Sequence, residues 1–221
     1  MSAGGQPVRI VIPVYDGFDL LDVCGPSEMF HWAGFQVDLV AAAPGMITAN
    51  NGFALSVADG FAAPAPCDAL WVPGGDTGVL SAILQDPART YLDFLTAQAP
   101  LAGYVCAVCV GSVLLAGAGL LDGHVATSHW ATIPTLLQDY PAVTVADGHP
   151  RYTLDRNRLT GGGISSGLDE ALGLIELLAG TAKAQDVQQT TQYYPDPPVH
   201  SQIPNTITSP ITPPPSVSAK G

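Results

Sequence analysis

Short apolar runs alternate with helix-compatible stretches along most of this 221-residue chain, and that alternation constrains the fold more than any other feature. Val8–Tyr15, Phe35–Ala43, Ala69–Val72 and Leu101–Val108 are β-rich and almost continuously apolar. Strands of that kind are buried on both faces, as in a parallel sheet with helices above and below. The stretches between them read as helices: Asp19–Trp32, Thr77–Gln98 interrupted at Pro87, and the small-residue run Cys109–Gly119. Ile47–Val57, with Asn50-Asn51-Gly52 at its centre, reads as a hairpin. Further on, a helix near Ala131–Gln138, paired strands at Ala142–Ala146 and Tyr152–Thr160, and a long helix from Ser166 complete the pattern. The expected fold is α/β, a flavodoxin-like (Rossmann-like) three-layer sandwich with a mostly parallel sheet.

The domain is expected to span residues 7–195. From Pro195 onward the chain is rich in Pro, Ser and Thr, and residues 196–221 read as a disordered tail or an arm. Seven Lys and Arg stand against nineteen Asp and Glu, a formal charge of −12. Without clustered basic residues, neither nucleic acid nor an anionic membrane surface is an expected partner. No stretch is long enough to span a bilayer, Met1–Pro7 lacks a basic targeting region, and four cysteines are too few for a disulfide scaffold. A cytoplasmic location is the expectation.

In parallel α/β sheets, reactive groups gather beyond the carboxyl ends of the strands. Three such ends carry unusual chemistry here. Cys109 lies where Leu101–Val108 turns into a helix, a position at which helix N–H groups can lower a thiol pKa from about 8.5 to roughly 3.5–7.5. A buried structural cysteine is the bland alternative. Asp22 follows the first strand, where a carboxylate either caps a helix or exchanges a proton with a nearby thiol. Pro73-Gly74-Gly75 brings backbone N–H groups near whatever occupies the site, or is simply a tight turn.

Competing motifs are weaker. Cys106-Ala-Val-Cys109 has redox-dithiol spacing, but one cysteine belongs to the strand and the other to the turn. Gly163-Ile164-Ser165-Ser166-Gly167 matches a hydrolase elbow, yet His200 is the only histidine after it. His129 reads as a core histidine at least as readily as a site residue, and the histidines show no metal-ligand spacing, so neither a metal nor a cofactor is expected.

Asp22-Val23-Cys24-Gly25-Pro26, Pro73-Gly74-Gly75, Val108-Cys109-Val110-Gly111-Ser112, Ala126-Thr127-Ser128-His129-Trp130 and Thr160-Gly161-Gly162-Gly163-Ile164 occur in the order seen in the ThiJ/PfpI superfamily (class I glutamine amidotransferase-like). Within it the chain resembles the isocyanide hydratases, from about Val8 to Pro198. The resemblance implies a homodimer with Cys109 as a nucleophile on a strained elbow, Asp22 as its hydrogen-bonding acid, and backbone N–H groups of Gly75 and Val110 facing the reacting centre. It also implies Ile164 beside the substrate pocket, which Trp130 is expected to line, as is Phe30. Val110 departs from the threonine common in hydratases, and no histidine follows Cys109 as in the peptidase-like members. The implied activity is hydration of an isocyanide to an N-formamide through a Cys109 thioimidate. Alternatives are a glyoxalase-like hydrolase of 2-oxoaldehydes and a non-enzymatic cysteine oxidation sensor. The helix-turn-helix domain of related regulators is not expected after residue 195.

Overall fold

The computed structural model describes residues 7–61, 65–205 and 208–212. The N-terminal segment before Pro7 and the end of the Pro-rich tail therefore lie outside the described residues.

Element order follows the alternation of the sequence: β1 (Arg9–Pro13), α1 (Leu20–Ala33), β2 (Gln36–Ala41), the hairpin β3 (Gly45–Thr48) and β4 (Ala54–Val57), then β5 (Asp59–Gly60) and β6 (Cys67–Val72). Next come α2 (Thr77–Gln85), α3 (Thr90–Gln98), β7 (Ala102–Ala107), α4 (Gly111–Gly117), β8 (Val125–Ala126), α5 (Ile133–Asp139) and β9 (Thr144–Val145). The described chain continues through β10 (Tyr152–Asp155), β11 (Arg158–Gly161), α6 (Ser166–Ala179) and α7 (Thr181–Thr190).

Among the described residues the main sheet has the order β10-β11-β7-β6-β1-β2-β5, parallel except for the β10–β11 hairpin at one edge. Helices α1, α6 and α7 pack together on one face, and α2, α3, α4 and α5 form the other layer. This is the flavodoxin-like sandwich. Two-sided burial explains why the central strands read as unbroken apolar runs: Ile10, Ile12, Leu70, Trp71 and Val105 are all solvent-inaccessible. Each such side chain contributes about 1.5–3 kcal/mol by leaving water.

Two expectations about the C-terminal half are corrected. Ala142–Ala146 does not pair with Tyr152–Thr160; instead β9 pairs with β8 in a separate two-stranded sheet. Tyr152–Thr160 is itself a hairpin, turning at Arg156, whose φ of 57° supplies the left-handed residue that a tight turn needs. The long helix from Ser166 is divided at Gly180 into α6 and α7.

Part of the tail is seated on the domain. Ile211 is buried, the Thr212 N–H donates to Ser81 Oγ on α2 (2.9 Å), and Ser209 meets Thr135 on α5. No helix among the described residues is long and apolar enough to cross a membrane.

Two contacts carry the site. The Trp71 indole on β6 donates to the Asp22 carbonyl (3.0 Å) and meets the Phe30 ring edge-on, so the first turn of α1 is fixed over the sheet. That places Phe30 in the core, not in a substrate pocket. On the other side Gly111 opens α4 against the backbone of β6. A Cβ there would collide with the Val72 carbonyl oxygen and lie 2.9 Å from the Pro73 carbonyl. Backbone on both sides cannot yield as a side chain does, so Gly111→Ala is expected to cost about 1–3 kcal/mol, read as a lowered urea midpoint at unchanged m-value.

Candidate active site

Cys109 ends the turn after β7 with φ 58°, in the left-handed region that non-glycine residues seldom adopt. The strain, about 1–3 kcal/mol, is held by hydrogen bonds on both sides of the residue. Its N–H donates to the Gly162 carbonyl (2.9 Å), and its carbonyl accepts from Ser112 Oγ (3.1 Å) and Ser128 Oγ (3.0 Å). The result is a thiol turned out of the strand line, with Sγ accepting backbone N–H groups from Val110 and Ile164.

Asp22 enters from α1 and is fully buried. Its Oδ2 accepts the Gly74 N–H (2.8 Å), while Oδ1 has no hydrogen-bond partner among the described residues. Gly74 permits this approach: a Cβ there would stand 2.8 Å from Val110 Cγ2 and 2.9 Å from Asp22 Oδ2. Single ligating atoms of Asp22, Cys109 and a third residue, Asp19, all lie within 4.8 Å of one another.

Electrostatics correct one expectation. The Cys109 thiol is not activated by a lowered pKa; it is pushed far up, first by burial and then by the neighbouring Asp22 carboxylate, against the lowering pull of the Ile164 and Val110 N–H groups. Asp22 is also raised well above the usual carboxylate range, by burial first and by Asp19 second. Burial of the sulfur outweighs the N–H groups at the start of α4. Burial and mutual proximity thus both favour the protonated forms of the pair.

Of the expected backbone donors, Val110 uses its N–H on the sulfur, joined by Ile164, whose backbone part was not anticipated. The Phe18–Gly75 bridge is closed by bonds of the flanking residues, which leaves the Gly75 N–H without a partner among the described residues. Ile164 and Trp130 both line a cavity of about 350 Å3, together with Leu21, His129, Arg151 and Ile203. Cys109, Asp22 and Asp19 are not among its walls, and it reaches the cysteine through Ser128 and Gly162, which hydrogen-bond to the Cys109 backbone. His129 Nδ1 accepts the Ala131 N–H (3.2 Å), and burial lowers its pKa, so the ring enters this cavity neutral. Cys106 is fully buried on β7, its thiol raised by burial and by Glu170.

Sequence reasoning missed Asp19, Tyr15 and Glu170. The Tyr15 hydroxyl donates to the Pro73 carbonyl (3.1 Å) behind the Gly74 turn. Glu170 on α6 is fully buried over Gly161, with neither carboxyl oxygen hydrogen-bonded among the described residues. Its position could have been found from helix period, since Gly167, Ala171 and Leu174 mark the same inner face of α6.

Burial raises the Glu170 pKa well above its usual value, with Asp22 adding to the effect. A folded-state carboxyl that holds its proton longer than the unfolded one stabilises the fold fully below about pH 4, and that contribution falls as pH rises toward the folded pKa. Each unit of separation is worth about 1.4 kcal/mol. Glu170→Gln cannot ionise, so its loss of melting temperature between pH 5 and pH 8 is expected to be smaller than that of the wild type. Parallel thermal melts at the two pH values check this.

Residues 8–177 match the DJ-1/PfpI family. The chain is 39% identical over 192 residues to the isonitrile hydratase of Pseudomonas putida, covering 86% of this chain and 81% of that protein. It is 30% identical over 148 residues to the HTH-type transcriptional regulator GbdR of Pseudomonas aeruginosa, covering 67% of this chain but 37% of the regulator. Among solved structures, a ThiJ/PfpI family protein from Pseudomonas syringae has a TM-score of 0.79 at 33% identity, over 88% of this chain and 78% of that one. Drosophila melanogaster DJ-1beta, at 21% identity and TM-score 0.75 over 85% and 98% of the two chains, shares the fold. An elbow cysteine facing a buried acid across a glycine turn, on this sheet order and with these relatives, has one reading: the chain belongs to the DJ-1/PfpI family.

Proposed function

We propose that this protein hydrates isocyanides, R–N≡C, to N-formamides with Cys109 as nucleophile and Asp22 as proton carrier. The observation that carries the reading is the Cys109–Asp22 pair, two acids held within 4.8 Å in a buried site with backbone N–H donors on both. The 39% identity to the Pseudomonas putida isonitrile hydratase supports the choice of substrate class.

The carbon of an isocyanide accepts both a nucleophile and a proton. Cys109 Sγ bonds to it as the thiol proton, passed through Asp22, is delivered to that same carbon, giving R–N=CH–S–Cys109. Moving the proton within the pair avoids ever placing a full thiolate and a carboxylate side by side in a dry site. Water then adds to the carbon and the nitrogen gains a proton. The C–S bond breaks, R–NH–CHO leaves, and the sulfur recovers its hydrogen. The N–H groups of Val110 and Ile164 stabilise negative charge on the sulfur as the bond forms and as it breaks. The apolar walls from Leu21, Trp130, Ile164 and Ile203 fit a hydrocarbon R group.

Formamide formation from a simple alkyl isocyanide, followed by NMR, tests the reading. Cys109→Ala is expected to lose more than about 10^3-fold in kcat/KM, and Asp22→Asn about 10^2–10^4-fold. Methylglyoxal, assayed beside it, is expected to give no turnover. Full hydration by Cys109→Ala, or turnover of the dicarbonyl alone, overturns the proposal.

A further inference from the structure

Asp19 is the residue that the mechanism above leaves unused. It occupies the N-cap position of α1, where an aspartate normally accepts a helix N–H, yet its side chain makes no cap hydrogen bond. The carboxylate instead turns into the site, with one oxygen within 4.8 Å of both Cys109 Sγ and an Asp22 oxygen. It is held there from outside the main sheet: the Asn50 side chain, in the turn between β3 and β4, hydrogen-bonds to it. Asn50 is itself fixed by its N–H bond to the Phe18 carbonyl (2.9 Å). Asp19 is half-buried, whereas Asp22 has no exposed surface. Of the two acids near the thiol, Asp19 therefore keeps some exposed surface and interacts electrostatically with His129, a wall of the cavity, while Asp22 has none.

We propose that Asp19 is the general base of the second half-reaction, taking a proton from the water that attacks the Cys109 thioimidate. This rests on the hydration reading and divides its labour. Asp22, with no water access, moves the thiol proton during capture. Asp19, which keeps some exposed surface, removes one proton from the attacking water as its oxygen bonds to the thioimidate carbon, and passes that proton to the imine nitrogen. The tetrahedral adduct R–NH–CH(OH)–S–Cys109 then loses its hydroxyl proton, by way of Asp22, to the departing sulfur as the C–S bond breaks, so that one water is consumed and both carboxyl groups return to their starting state. Burial of Asp19 raises its pKa from the ordinary carboxylate value, which strengthens it as a base, and Asn50 limits that rise.

Rapid-quench intact mass spectrometry with n-butyl isocyanide, run beside formamide NMR, separates the two halves. Asp19→Asn is expected to form the Cys109 adduct at close to the wild-type rate, to accumulate it, and to lose about 10^2-fold in kcat. Asn50→Ala, which keeps the carboxylate but removes its tether, is expected to accumulate the same adduct to a lesser extent. A damaged fold would slow capture as well and leave no adduct, so parallel loss of capture and turnover in both variants overturns the inference, as does unchanged kcat in Asp19→Asn. Either result, with an active wild type, leaves the hydration reading standing. A wild type that forms neither adduct nor formamide removes both.

Discussion

The close approach of a thiol and a carboxyl group in a buried site governs the rest of this structure. At about 4 Å and an effective dielectric constant near 20, two unit charges interact by about 4 kcal/mol, so Cys109 and Asp22 cannot both ionise at neutral pH. The protein supplies N–H dipoles at both groups: Gly74 to the carboxylate, Ile164 and Val110 to the sulfur. Each donor comes from a different loop, and each loop has to come close. That requirement explains the left-handed backbone at Cys109 and the absent side chain at Gly74. It also gives Trp71 its place, since its indole pins the turn of α1 that carries Asp22.

The same arrangement weighs against an oxidation sensor. Peroxide reacts with thiolate, and sensor cysteines are accessible and low in pKa. Cys109 keeps only 4% of its surface exposed, and its thiol is raised by burial.

Much of this was legible in the sequence, because parallel strands buried on both faces cannot disguise their composition and because a cysteine between an apolar strand and a small-residue helix has few structures open to it. What stayed hidden shares one physical cause: it depends on contacts between segments remote in sequence. Asp19 reads only as the start of a helix, and its place near the thiol depends on a contact with Asn50 of a separate hairpin. Glu170 reads as a solvent-facing charge unless the inner-face period of α6 is followed through it. The thiol pKa was misjudged in direction because a dipole is visible in the sequence while desolvation is a property of the packed fold. The β10–β11 hairpin was taken for one strand because its turn uses Arg156 in a left-handed conformation where a glycine would have announced it.

Val110 shows how such a site tolerates change. Threonine is common at this position in the enzymes the chain resembles, and its hydroxyl is gone here. Yet what position 110 gives to the sulfur is a main-chain N–H, which any residue but proline supplies. The valine side chain packs over Gly74, where a Cβ would stand 2.8 Å from Cγ2, and so lies against the backbone that serves Asp22.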